Sequence, residues 1–291
     1  MGSARIALPS MALAIAVCGG GGGRAWALDK QAPAHRGGGA EGSGGFGLAG
    51  EVFFGLLPYN PTYAARPDNS GRALFRAGGH LDVDLLGPRL FIPIDVNVFT
   101  DRTHQPLRPS EIDLIAGLAS AWELPVGRGE LGARGEVDAP ADGRGASQFY
   151  GDVRARYMLS LSALRPGVTA ALGGGDVSAS VTLGWFAWNR GYFARPDNTG
   201  LALLRYAARV EVGVGPRVGV FVDTTFFTDR TVNAVRPSEL DLTVGAVATV
   251  GDWRVTAAYE RDLPTDGRGT GLVQHMAMLL GARTFAWRRG A

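Results

Sequence analysis

Lysine is nearly missing from this chain: Lys30 stands alone against 28 arginines. Cysteine is equally scarce, with Cys18 the single thiol. One cysteine excludes a disulfide framework within the chain and any zinc site built on paired cysteines. Long apolar runs are absent too. Crossing a bilayer as a helix takes roughly 20 apolar residues in a row, and no run is that long. Helical periodicity is almost absent. No G-x-S-x-G element appears, and His80, His104 and His275 are scattered, which leaves no assembled nucleophile or metal set. Charged residues make up 19% and mean hydropathy is +0.05, a balance unlike that of a disordered chain.

Residues 1–27 differ in kind from the rest. Arg5 supplies a basic start, residues 6–18 (IALPSMALAIAVC) are apolar, and Ala25-Trp26-Ala27 offers a small-x-small cleavage site. This is the pattern of a secretory signal peptide. Cleavage after Ala27 removes Cys18 with it. It also removes Arg5 and Arg24 but no acid, so 29 − 2 leaves 27 basic residues against 27 acidic ones. A neutral mature chain argues against a nucleic-acid partner. Residues 28–46 are Gly-rich and polar and read as a flexible leader. Residues 47–291 are left for a single folded domain.

That domain repeats itself. AARPDNSG (64–71) returns as FARPDNTG (193–200). FTDRTHQPLRPSEIDLIAGL (99–118) returns as FTDRTVNAVRPSELDLTVGA (227–246), with 12 of 20 positions identical. DAPADGRG (138–145) returns as DLPTDGRG (262–269). The expectation is an internal duplication, with one copy over 47–162 and the other over 176–288.

Within each copy the apolar residues recur at every second position. Leu90, Ile92, Ile94, Val96 and Val98 share one face, and Phe91, Pro93, Asp95 and Asn97 share the other. Val218, Val220 and Val222 repeat this against Gly219, Phe221 and Asp223, and Leu240, Leu242 and Val244 against Glu239, Asp241 and Thr243. Alternation of this kind predicts strands with one apolar and one polar face. Six strands per copy are expected, twelve in all, at 47–59, 72–86, 89–101, 110–124, 128–140, 147–161, 176–190, 201–214, 217–229, 238–250, 252–264 and 272–287. Pro93 is expected at a bulge or an edge, because it lacks a ladder donor.

Short turns such as LLGPR and GVGPR alternate with longer polar loops. Strand length, a charged polar face and this loop asymmetry together predict an all-β, up-and-down antiparallel transmembrane barrel of about twelve strands, built from two six-stranded halves. Over residues 47–287 the chain resembles the general class of bacterial outer-membrane β-barrel, porin-like proteins. The resemblance implies an outer-membrane location, a lipid surround and long loops facing outwards. Trp122, Trp253, Trp185 and Tyr192 then read as interfacial aromatics.

The polar face becomes the lumen. Its expected lining includes Arg76, Asp95, Glu111, Asp113, Glu136, Arg205, Asp223, Glu239, Asp241 and Glu260. Asp82, Asp84, Asp138, Glu211 and Asp262 are expected there too, with Arg134, Arg154, Arg156, Arg209 and Arg254. The repeated loops gather at one rim and bring Arg66, Asp68, Asp101, Arg102 and Arg108 together with Arg195, Asp197, Asp229, Arg230 and Arg236. No metal or cofactor is expected. The function expected is a non-catalytic, narrow channel or a membrane-structural barrel, with small ions or solutes as partners. Two alternatives stand beside it: a soluble secreted all-β binding protein of two similar halves, and a lipid-modifying barrel enzyme.

Overall fold

A computed structural model of the chain describes residues 47–59, 74–86, 89–99, 111–141, 147–165, 167–189, 203–227, 239–265 and 274–288. Twelve strands run in order: β1 (Gly47–Tyr59), β2 (Leu74–Asp84), β3 (Leu90–Phe99), β4 (Glu111–Glu123), β5 (Arg128–Pro140) and β6 (Gln148–Ser160). After two short helices, α1 (Leu161–Leu164) and α2 (Gly167–Ala171), come β7 (Val177–Asn189), β8 (Leu203–Val214), β9 (Val218–Phe227), β10 (Glu239–Val250), β11 (Trp253–Pro264) and β12 (Gln274–Arg288). Each strand pairs antiparallel with its chain neighbours, and β1 pairs with β12, so the sheet closes into a barrel without edges. Closure leaves no unpaired strand edge, which a bilayer does not tolerate.

The connections sort by length. The longer ones leave β1, β3, β5, β7, β9 and β11, and all lie at one end. The tight ones leave β2, β4, β8 and β10, at the other. The link from β6 to β7 is the departure: it lies at the end of the tight turns, yet it is long enough to carry both α1 and α2. Its sequence (LSALRPGVTAALGG) has no long apolar stripe, so period counting passes over it.

Polarity is inverted relative to a soluble protein. Glu51 and Phe53 on β1 are buried, while Val52, Phe54 and Leu56 are exposed. On β10, Asp241 and Thr243 are buried, and Leu242 and Val244 are exposed. Among the described residues fifteen buried side chains are polar or charged and eight are apolar. A sandwich core in water has the opposite ratio. A ring of strands 10 to 15 residues long, apolar outside and charged inside, is a transmembrane β-barrel. The soluble two-half alternative fails on both closure and polarity.

Aromatic side chains mark the boundary at the turn end. Trp122 and Trp253 lie at the ends of β4 and β11, Trp287 near the end of β12, and all three are exposed. Tyr157 joins them and donates its hydroxyl hydrogen to the carbonyl of Val126. Trp185 lies towards the loop end of β7. Tyr192 is outside the described residues.

Pro93 is neither at an edge nor at a bulge. It faces Asp82 in an unbroken register with β2. Towards β4 the pairing lapses between Phe91 and Ile94, yet Phe91 still faces Ala119 and Ile94 still faces Ala116, so nothing has slipped. The missing N–H costs one stretch of ladder and nothing more. The irregularities fall elsewhere, between Leu56 and Tyr59 where β1 meets β12, and between Gly151 and Val153 where β6 meets β7. Both are junctions between the first six strands and the last six.

Candidate functional site: the charged lumen

Alternation places every second side chain of each strand inside the barrel. Glycines make room for the larger ones. A Cβ on Gly245 would lie 2.6 Å from the Phe221 ring, and one on Gly78 would lie 2.7 Å from the Phe53 ring. Each ring therefore packs over a neighbouring glycine.

Of the expected lining, Arg76, Asp95, Asp113, Arg205, Asp223, Asp241 and Glu260 are buried on the inner face, with Glu136 half-buried beside them. Glu111 and Glu239 head β4 and β10, and their side chains are outside the described set, as are those of Asp138 and Asp262. The rim residues Arg66, Asp68, Asp101, Arg102, Arg108, Arg195, Asp197, Asp229, Arg230 and Arg236 all lie outside the described residues.

The charges are ordered by depth. Counted from the loop end of each strand, Asp95, Glu136, Asp152, Asp223 and Glu260 all sit four residues in. His80, Arg134, Arg154 and Arg209 all sit six residues in. A tier of carboxylates thus overlies a tier of bases. Register joins the tiers directly: His80 faces Asp95, Arg134 faces Asp152 and Arg209 faces Asp223. These pairs recur at every third strand, on β2/β3, β5/β6 and β8/β9. The fourth place, on β11/β12, holds Ala258 opposite Met278.

The contacts are close. His80 Nδ1 lies 2.6 Å from Asp95 Oδ1, and Nε2 lies 3.2 Å from Asp82 Oδ1. Arg134 grips Asp152 with two parallel hydrogen bonds, Nε to Oδ1 at 3.1 Å and Nη2 to Oδ2 at 2.8 Å. Its Nη1 lies 3.9 Å from Asp95, which links β3 to β5 across β4. Arg209 meets Asp223 at 3.4 Å and Glu211 at 2.7 Å, and its guanidinium sits 4.0 Å from the centre of the Phe221 ring. Arg254 bonds both oxygens of Glu211, at 2.9 and 2.7 Å. Glu51 faces His80 in the β1/β2 register, and Arg254 lies beyond β12, facing Ala282, which in turn faces Phe53. A belt of alternating charge therefore runs round the inner wall from Asp152 on β6, through β5, β3, β2, β1 and β11, to Glu211 and Asp223. Carboxylates this deeply buried need such partners, because an isolated buried charge is costly.

Asn97, placed on the polar face of β3 by its period, is buried inside as expected, whereas sequence reading missed Glu51, His80 and Asp152 as lumen residues. The signal was available for two of them: His80 shares parity with Asp82, and Asp152 with Arg154. Glu51 stands in an otherwise apolar run, AGEVFFGLL, which masks its face. Among the described residues no group of three metal-ligating side chains comes together.

No known protein family matches the chain, and no curated protein does. Solved structures resemble it in fold. One is a NanC porin, 10% identical, covering 81% of this chain and 99% of its own, with a TM-score of 0.45. Another is an outer membrane channel from Pseudomonas putida F1, 15% identical, covering 84% and 97%, with a TM-score of 0.40. A third is an anion-selective porin from Comamonas acidovorans, 10% identical, covering 82% and 98%, with a TM-score of 0.36. What each of these conducts belongs to that protein.

Proposed function

We propose that the chain is a non-catalytic barrel of the bacterial outer membrane, exported behind a leader that is cleaved after Ala27. Its lumen is a narrow, charged passage for small ions or solutes. The observation that carries this is the inverted ring itself: valine, leucine and aromatic side chains outside, tiers of carboxylate and guanidinium inside. Inner-face acids outnumber bases among the described residues. Glu51, Asp82, Asp84, Asp95, Asp113, Glu130, Glu136, Asp152, Glu211, Asp223, Asp241 and Glu260 make twelve, against eight arginines (76, 128, 134, 154, 156, 205, 209 and 254) and His80. Rings of carboxylate favour cations.

A second reading, a membrane-structural barrel plugged by its own ion pairs, draws on the near-complete burial of Asn97, Asp113 and Asp223. Planar-bilayer recording of the refolded chain in a salt gradient separates the two. Steady current steps with cation preference support the passage. Silence from protein that inserts and migrates differently on a gel before and after boiling supports the plug. Protein that stays in solution without detergent contradicts both.

A further inference from the structure

Arg254 on β11 reaches Glu211 on β8, past the two strands between them. The bridge spans three strand spacings on the lumen side of the barrel. It is also wetter than its counterpart. Arg254 and Glu211 are 28% and 20% exposed, whereas Arg134 and Asp152 are 6% each. A pair more open to water is held less tightly than a fully buried one.

A second carboxylate waits on the other side. Glu51, on β1, is separated from β11 by β12 alone. It is 2% exposed, and among the described residues its Oε1 has no hydrogen-bond partner. Its register partner on β2 is His80, and Arg254 faces Ala282, which faces Phe53 two residues along β1. His80 is already held between two aspartates. Among the described residues nothing accepts from the Nε of Arg254. A buried carboxylate oxygen without a donor is costly, and among the described residues Arg254 is a neighbouring cation with a donor to give.

We propose that Arg254 sets the width of the passage by exchanging between two carboxylates. On Glu211 it bars the lumen. On Glu51 it lies back along its own wall. The consequence for flow rests on the channel reading above; the exchange itself does not.

The test uses two substitutions that remove the same charge. Glu211→Gln releases Arg254 to Glu51 and raises the open fraction, by about threefold or more for a pair of this strength. Glu51→Gln leaves Arg254 on Glu211 and lowers it. Arg254→Ala abolishes the difference between them. Lumen charge acting alone moves both variants in the same direction, and that result, or no change in either, overturns the exchange while leaving the passage in place.

A second readout does not depend on current. In urea unfolding, Glu51→Gln should lower the folding equilibrium constant about threefold or more further when Glu211 is already Gln, because Arg254 then rests on Glu51. The excess should vanish in Arg254→Ala. Non-additivity of this kind in a barrel that passes no current keeps the exchange and removes the channel. Strict additivity removes the exchange.

Discussion

Thr243 and Val244 are consecutive in β10, yet one is 1% exposed inside the barrel and the other 43% exposed outside it. The outer face is lipid, so a charge there has no solvent. Val244, at the middle of β10, should not tolerate arginine: Val244→Arg should cost about 2–4 kcal/mol, read by urea unfolding in lipid vesicles. The cost should fade with depth. Val250→Arg, at the strand's end, should cost about 0–1 kcal/mol. Equal costs would contradict the position of β10 in the bilayer. The glycines under the rings make a separate prediction. Gly245→Ala puts a Cβ against the Phe221 ring and 2.8 Å from the Ala257 carbonyl. Overpacking of this kind should cost about 1–3 kcal/mol in the same assay.

At the scale of the element, strand pairs repeat an acid-over-base motif three times, and the fourth pair is apolar. That pattern predicts how the Arg134–Asp152 pair responds to change. Arg134→Ala alone strands a buried Asp152 and should cost about 3–5 kcal/mol. Arg134→Ala with Asp152→Met installs the residues found at β11/β12, and should recover most of that loss. A double variant no more stable than the single one would show that the pair is required for itself. How much of this was legible differs from element to element. Strand positions and faces followed from period two, because a side chain in a strand has only two directions to point. β3, with Asp95 and Asn97 opposed to Ile94 and Val96, could be read outright. The role of Pro93 could not, since a single lapse in pairing is decided by the neighbouring strands. Likewise α1 and α2 are too short to show a period. The tiers of charge were also hidden. Parity places a side chain inside, but depth depends on where each strand ends and how it is registered against the next.

At the scale of the whole molecule, the strand starts keep the sequence's repeat spacing. β2, β3 and β4 begin at Leu74, Leu90 and Glu111, and β8, β9 and β10 begin at Leu203, Val218 and Glu239, at a nearly constant offset. The two sets of six strands meet at β1/β12 and β6/β7, and each junction carries an irregularity in register. A repeat on its own predicts halves of equal charge, but the lumen is lopsided. The first half has Arg134 and Asp152 where the second has Ala258 and Met278. Closure and inside-out polarity are what the remaining conclusions stand on, and one measurement reaches both. With Cys18 replaced by serine, single cysteines are introduced from residue 218 to 225 on β9. Each is labelled with a small fluorophore and read in vesicles containing a quencher attached to the lipid chains. Quenching is expected at 218, 220, 222 and 224 and not at 219, 221, 223 and 225. Uniform quenching along the strand, or quenching at the odd positions, would contradict the inside-out polarity.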